Sequence, residues 1–127
     1  TRNTDWKNFV RAIIESVAYQ THDLFNSMKN DGLKPRIVKI DGGMVKNNWF
    51  SQFLSDLINI NVLRPKVLET TALGVALFAG YGCGEFKSLD EIKRVWKKDR
   101  IFSPKLKKST RNKLLNGWKL AIRKTLA

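Results

Sequence analysis

The stretch from Arg36 to Leu63 restricts the fold more than any other part of the chain. Arg36-Ile-Val-Lys-Ile40 is short and rich in β-branched residues, the pattern of a strand, and it runs into Asp41-Gly42-Gly43. From Asn47 to Asn59 the apolar residues Trp49, Phe50, Phe53, Leu54, Leu57 and Ile58 recur at three- and four-residue steps, which predicts a helix with one buried face. Ile60-Asn-Val-Leu63 is then a second strand, closed by Pro65. Strand, glycine turn, helix and strand in about 28 residues make a βαβ unit. The two strands are therefore expected to be parallel and the crossover right-handed, and the fold class is α/β.

Helices surround this unit. Between Asp5 and Asn30, Trp6, Phe9, Val10, Ile13, Ile14, Val17, Leu24, Phe25 and Met28 mark one face of a long helix, stopped by Asp31-Gly32. Thr70 or Thr71 is expected to cap a helix from Ala72 to about Tyr81, whose Ala72, Ala76, Ala79 and Gly80 give it a small-residue side for close packing. Ser88-Leu-Asp-Glu91 has the spacing of a capping box and opens a short helix through Ile92, Val95 and Trp96. Asp99 to Pro104 is expected to be a loop. A terminal helix from about Lys107 to Leu126 turns Leu114, Leu115, Trp118, Ala121, Ile122 and Leu126 inward and its lysines outward. With no internal repeat and no obvious linker, residues 1–127 make one domain.

At 127 residues and 43% apolar content, such a domain buries about two-thirds of the surface its unfolded chain exposes, enough for its own core. No apolar run approaches the roughly 20 residues that span a bilayer. The start, Thr1-Arg-Asn-Thr, lacks both Met and a signal-peptide pattern, so a piece of a longer, soluble chain is expected. A lone cysteine, Cys83, allows no internal disulfide and argues against a metal cluster, which fits a reducing cytoplasm. The net charge of +13 attracts polyanions at low salt and is the one argument for a standalone basic nucleic-acid-binding module. Against it, the cations are spread over two groups and are not interleaved with aromatic residues as a stacking platform needs, so a solvated basic face is expected and no specific nucleic acid.

The richest site signal is Ile40-Asp41-Gly42-Gly43-Met44-Val45-Lys46-Asn47-Asn48, because ligands of α/β sheets bind at the carboxyl ends of strands. Glycines there let the backbone reach positive φ and let a flat ligand lie against the peptide planes, while the next helix directs free N–H groups toward it. Asn47 offers an amide donor and an acceptor, which suits an adenine edge. The same residues also make an ordinary tight turn with Asn47 as a helix cap, and the sequence leaves both purposes open. No catalytic constellation is visible. His22, the only histidine, has no Ser or Cys nucleophile nearby and is expected to be an ordinary surface or packing residue; Glu15 and Asp23 are too far apart along their helix for paired carboxylate chemistry. Trp6, Trp49, Trp96 and Trp118 fall at apolar helical positions and are expected in the core or an interface.

Four ordered segments carry a resemblance. Asn8-Phe9-Val-Arg-Ala12-Ile13-Ile14-Glu15 is similar to the closing half of a signature shared by the sugar-kinase family of actin-like fold. Beyond it, Gln20-Thr21-His22-Asp23, Val38-Lys-Ile-Asp41-Gly42-Gly43-Met44 with Asn47-Asn48, and Arg64-Pro65 with Glu69-Thr-Thr-Ala-Leu-Gly74 resemble segments from the C-terminal end of the glycerol kinases within that family. Gln20-Thr21-His22-Asp23 and Glu69-Thr70-Thr71 favour glycerol; xylulose and gluconate kinases share the Gly-Gly turn and the Ala-Leu-Gly helix. Met44 stands where many relatives carry alanine.

The resemblance implies a ribonuclease-H-like, actin-like ATPase domain, incomplete on its N-terminal side, in which ATP lies in a cleft between two domains. Gly43 and Asn47 would line the adenine end of that cleft, with Gly42 and Met44 shaping the turn. The catalytic carboxylate, the glycerol pocket and most contacts to phosphate and Mg²⁺ would belong to the preceding part of the kinase, leaving no catalytic residue and no metal ligand here. It also implies a homo-oligomeric complete enzyme, and an isolated chain that does not turn over, since phosphoryl transfer depends on positioning and electrostatics across the whole cleft.

Overall fold

The structure, a computed structural model, describes residues 4–126. In chain order the elements are α1 (Trp6–Asn30), β1 (Ile37–Lys39), a single 3-10 turn (Gly43–Lys46), α2 (Asn48–Ile58), β2 (Asn61–Pro65), α3 (Thr70–Gly82), α4 (Leu89–Val95), β3 (Lys98–Phe102) and α5 (Lys108–Leu126). The sheet has the order β1-β2-β3. β1 pairs with β2 in parallel, Val38 opposite Val62, so the predicted βαβ unit is present; β3 adds antiparallel, Val62 opposite Phe102 and Arg64 opposite Arg100.

The core gathers on α2. Phe50, Phe53, Leu54, Leu57 and Ile58 are all buried there, and they meet Ala18 and Tyr19 of α1, Val62 of β2, Phe102 of β3 and Val45 of the 3-10 turn. Each large aliphatic side chain buried this way stabilises the fold by about 1.5–3 kcal/mol. Tyr19 ties three elements together, with its ring edge-on to Phe53 at 5.7 Å and stacked on Trp118 of α5 at 5.2 Å.

Buried polar groups on α2 are satisfied. Ser55 Oγ lies 2.9 Å from the carbonyls of both Ile60 and Phe102. Asp56 Oδ1 accepts from the backbone N–H groups of Lys105 and Leu106 at 2.6 and 3.2 Å, fixing the approach to α5.

Several expectations need correction. Residues 98–102 form β3, although the loop was expected from Asp99 to Pro104. Lys98-Asp-Arg-Ile-Phe102 buries only Phe102 and carries its charges outward, as edge strands do, which hides the strand from a hydrophobic pattern. Pro65 does close β2, as its last residue, and faces Lys98 across a register irregularity. Neither Thr70 nor Thr71 caps α3: the cap position is Glu69, without a side-chain hydrogen bond, and the Thr70 hydroxyl donates to the carboxylate of Asp41. In the capping box Ser88 accepts from the Glu91 N–H as expected, but the Glu91 carboxylate reaches one residue further back, to the N–H of Lys87 at 2.7 Å.

Two apolar surfaces expected to pack are open. In the first half of α1, Trp6, Phe9 and Ile13 stay 63–69% exposed, and α3 has no buried residue, with Val75 and Phe78 above 60%. The small side of α3 makes one close approach, at Gly80, where a Cβ would come within 3.0 Å of the Phe86 ring. On α5, Ala121 and Leu126 face out rather than in. Of the four tryptophans only Trp118 joins the core.

Candidate functional site

The turn after β1 is built from below and open above. Gly42 has φ 87° and ψ 178°, a conformation essentially reserved for glycine. Its N–H donates to the carbonyl of Leu68 at 2.9 Å, and the N–H of Ile40 donates to Leu63 at 3.0 Å. With the Thr70 hydroxyl on Asp41, these bonds tie the turn to β2, to the segment after it and to the start of α3. Gly43 is different. Its φ is not positive, and a Cβ there would have no atom within 4 Å. Neither backbone conformation nor packing of the described residues calls for glycine at 43. The positive φ belongs to Gly42 alone.

Asn47 serves as the cap of α2. Its Oδ1 accepts from the N–H groups of Trp49 and Phe50 at 2.9 and 3.3 Å. Two backbone donors fix which end of the amide faces the helix, so the NH₂ is turned away, and it donates to no described residue. The expected donor-and-acceptor pair is thus reduced to a donor. Asn47 also forms one end of a groove of about 360 Å³ with Trp6, Lys7, Val10, Arg11, Ile14 and Trp49, in which the Arg11 guanidinium lies 4.8 Å from the Trp49 ring centre. Gly42, Gly43 and the half-exposed Met44 do not line that groove; they sit on the open turn beside it.

One residue that the motif did not single out holds the turn from beneath. Arg64 of β2 directs Nη1 to the carbonyl of Val45 at 2.8 Å and to Asn48 Oδ1 at 2.9 Å, with the Lys46 carbonyl at 3.4 Å. Its Nε donates to Asp99 Oδ2 at 2.8 Å. A charged side chain directly after Val62 and Leu63 in a strand was the available signal.

The remaining candidates have structural partners. Glu15 pairs with Arg11 at 2.6 Å, and Asp23 accepts from the indole N–H of Trp118 at 2.7 Å, so the two carboxylates have separate structural partners. His22 is half-buried against Asp23 and Asn26, and burial pulls its pKa below the ordinary value. Among the described residues no three His, Cys, Asp or Glu side chains are grouped to hold a metal ion, and no helix is long and apolar enough to cross a membrane.

Comparison with known proteins places this geometry. Residues 1–83 match the C-terminal domain of the FGGY family of carbohydrate kinases. The chain is 48% identical over 120 residues to a glycerol kinase of Gluconobacter oxydans, covering 94% of this chain and 23% of that protein. It superposes on a crystal structure of Plasmodium falciparum glycerol kinase with ADP with a TM-score of 0.83 at 35% identity, over 100% of this chain and 26% of that one. A xylulose kinase of Lactobacillus acidophilus, 22% identical over 99% of this chain and 26% of its own, shares the fold with a TM-score of 0.76. The chain thus spans about a quarter of the length of the relatives it matches. Its α/β fold is the actin-like ATPase fold of sugar kinases, and the chain belongs to the FGGY family of carbohydrate kinases.

Proposed function

We propose that this chain is the C-terminal, adenine-binding part of a glycerol kinase that converts ATP and glycerol to ADP and sn-glycerol 3-phosphate in the cytoplasm. The observation that carries it is the division of labour within Asn47, whose oxygen is spent on the helix cap while its NH₂ is left as a donor beside a glycine face that nothing fills. An adenine ring has the matching acceptor nitrogens and a flat face. Gly43 would lie under the base and the Asn47 NH₂ would donate to its edge, with Gly42 and Met44 setting the path of the turn. Relatives 43–48% identical over nearly the whole chain are glycerol kinases, which supports glycerol over xylulose or gluconate as the acceptor.

The open apolar surfaces of α1 and α3 are assigned, on the same grounds, to the preceding part of the kinase, which in the relatives makes up about three-quarters of the protein. The phosphates, Mg²⁺ and glycerol would be held there. Mg²⁺ supplies charge neutralisation on the phosphates when bound, and this chain contributes the base-binding wall of the cleft.

The test is Asn47→Ser in the complete kinase. Serine keeps a cap oxygen and lacks the NH₂, so the KM for ATP should rise about fivefold, the worth of one hydrogen bond, with the glycerol KM and thermal stability nearly unchanged. An unaltered ATP KM would remove Asn47 from the site, and a purified enzyme that phosphorylates xylulose or gluconate but not glycerol would overturn the substrate.

A further inference from the structure

We infer that Arg64 is the positioning residue of the adenine-binding turn: it touches no nucleotide but sets where Gly43 and Asn47 present themselves to it. This rests on the adenine assignment above. A single 3-10 turn has little to hold it in place, and here the one internal bond at its end runs from the Asn47 N–H to the Met44 carbonyl at 3.1 Å. At the end of so short a turn, the carbonyls of Val45 and Lys46 depend on donors from outside it. Arg64 supplies them. Three of its four hydrogen bonds end on the segment from Val45 to Asn48, and the fourth, to Asp99 on β3, aims the guanidinium.

The arrangement is costly as mere scaffolding. The Arg64 side chain is 12% exposed, on the central strand of the sheet, with the Phe102 ring 5.3 Å from its guanidinium carbon. Withdrawing a guanidinium from water is repaid only when its donors are satisfied in a fixed geometry. Ser51 adds a second hold from α2, its Oγ lying 3.2 Å from the same Val45 carbonyl, and the Val45 side chain is buried in the core. Val45 is thereby fixed at both its carbonyl and its side chain. It stands one residue from Met44 and two from Asn47, so a shift of its carbonyl moves both ends of the proposed base-binding surface. Lysine cannot reproduce this hold, because its ammonium is a point donor without the planar fork.

The experiment compares Arg64→Lys, Asn48→Ala and Asn47→Ser in the complete kinase, measuring KM for ATP and for GTP, KM for glycerol, kcat and thermal unfolding. Arg64→Lys should raise the ATP KM about fivefold to tenfold, narrow the discrimination between ATP and GTP, and leave the glycerol KM within about twofold. Asn48→Ala removes one of the partners and should move the same two readouts by about twofold to threefold; it decides alone if the lysine variant does not fold. A lower unfolding temperature with ATP KM and ATP-to-GTP discrimination unchanged would make Arg64 a structural residue only and overturn the inference. If Asn47→Ser raises the ATP KM while Arg64→Lys and Asn48→Ala do not, the adenine assignment stands and the positioning role falls. If none of the three moves it, the adenine assignment falls first.

Discussion

The indole Nε1–H of Trp118 donates a 2.7 Å hydrogen bond to the carboxylate of Asp23, across 95 residues of sequence. The bond joins α5 to α1 at the point where the Trp118 ring stacks on Tyr19, so one side chain docks the last helix by both its face and its polar edge. Trp118→Phe keeps an aromatic ring for the stack and removes the donor. Asp23 is 42% exposed, so water replaces part of the lost interaction, and the cost should be about 1 kcal/mol, below the range for a fully buried charged pair. Urea unfolding checks it. A loss above about 3 kcal/mol would mean that the indole's bulk, not its N–H, fixes α5.

The two glycines of the turn should separate cleanly. Gly42→Ala forces a side chain into a region that L residues avoid and should lower stability by about 1–3 kcal/mol, although there is open space for the methyl group. Gly43→Ala meets neither strain nor contact and should leave stability within about 0.5 kcal/mol, while raising the ATP KM of the complete kinase because the methyl group stands where the base would lie. Thermal unfolding of both variants tests the pair. Equal destabilisation would show that the turn needs both glycines for itself.

What was legible beforehand follows from how each signal arises. The βαβ unit could be read because the apolar spacing of α2 reports its burial and the short β-branched runs on either side of it are bounded by turn residues. β3 could not, since four of its five residues are exposed and its place in the sheet comes from backbone pairing with β2. α1 and α3 were legible as helices but not as surfaces: the apolar stripe of Trp6, Phe9 and Ile13 looks the same whether or not something covers it. The glycine turn was found as a motif, yet motif reading could not assign positive φ to Gly42 rather than Gly43, or spend the oxygen of Asn47 on the cap. Arg64 escaped because its partners, Val45 and Asp99, lie 19 residues before it and 35 after it.

The charge of the last segment yields a prediction of its own. Residues 100–127 hold nine Lys and Arg and no Asp or Glu, and among the described residues none of those nine joins an ion pair. Like charges on α5 attract any polyanion through counterion release, without reading its sequence. Binding to duplex DNA at low salt should be insensitive to sequence and should fall steeply, by about tenfold or more, between 50 and 200 mM salt. Fluorescence anisotropy with two unrelated duplexes measures both properties. Sequence-selective binding that survives 200 mM salt would favour a nucleic-acid-binding module over a solvated basic face.

The last prediction concerns pH, through the half-buried His22. Burial of the imidazole is the chief cause that lowers its pKa, the hydrogen bond and charge of Asp23 oppose it, and Lys29 and Lys119 lower it further. The folded value therefore lies below the unfolded one, near 6.5. Above the unfolded value the ring is neutral in both states, and its burial carries no proton penalty. As pH falls below about 6.5 the unfolded chain takes up a proton that the folded chain still refuses, so stability declines until the folded ring protonates as well. One such group sets a slope no steeper than about 1.4 kcal/mol per pH unit. His22→Gln removes the group while keeping a polar side chain beside Asp23 and Asn26, so its stability relative to the parent should rise on acidification from pH 8 to pH 5. Urea unfolding of both chains at several pH values isolates the effect, since every other titratable group is common to the two. A difference that stays constant with pH would show that His22 titrates alike in both states, and a difference of opposite sign would mean that Asp23 outweighs burial.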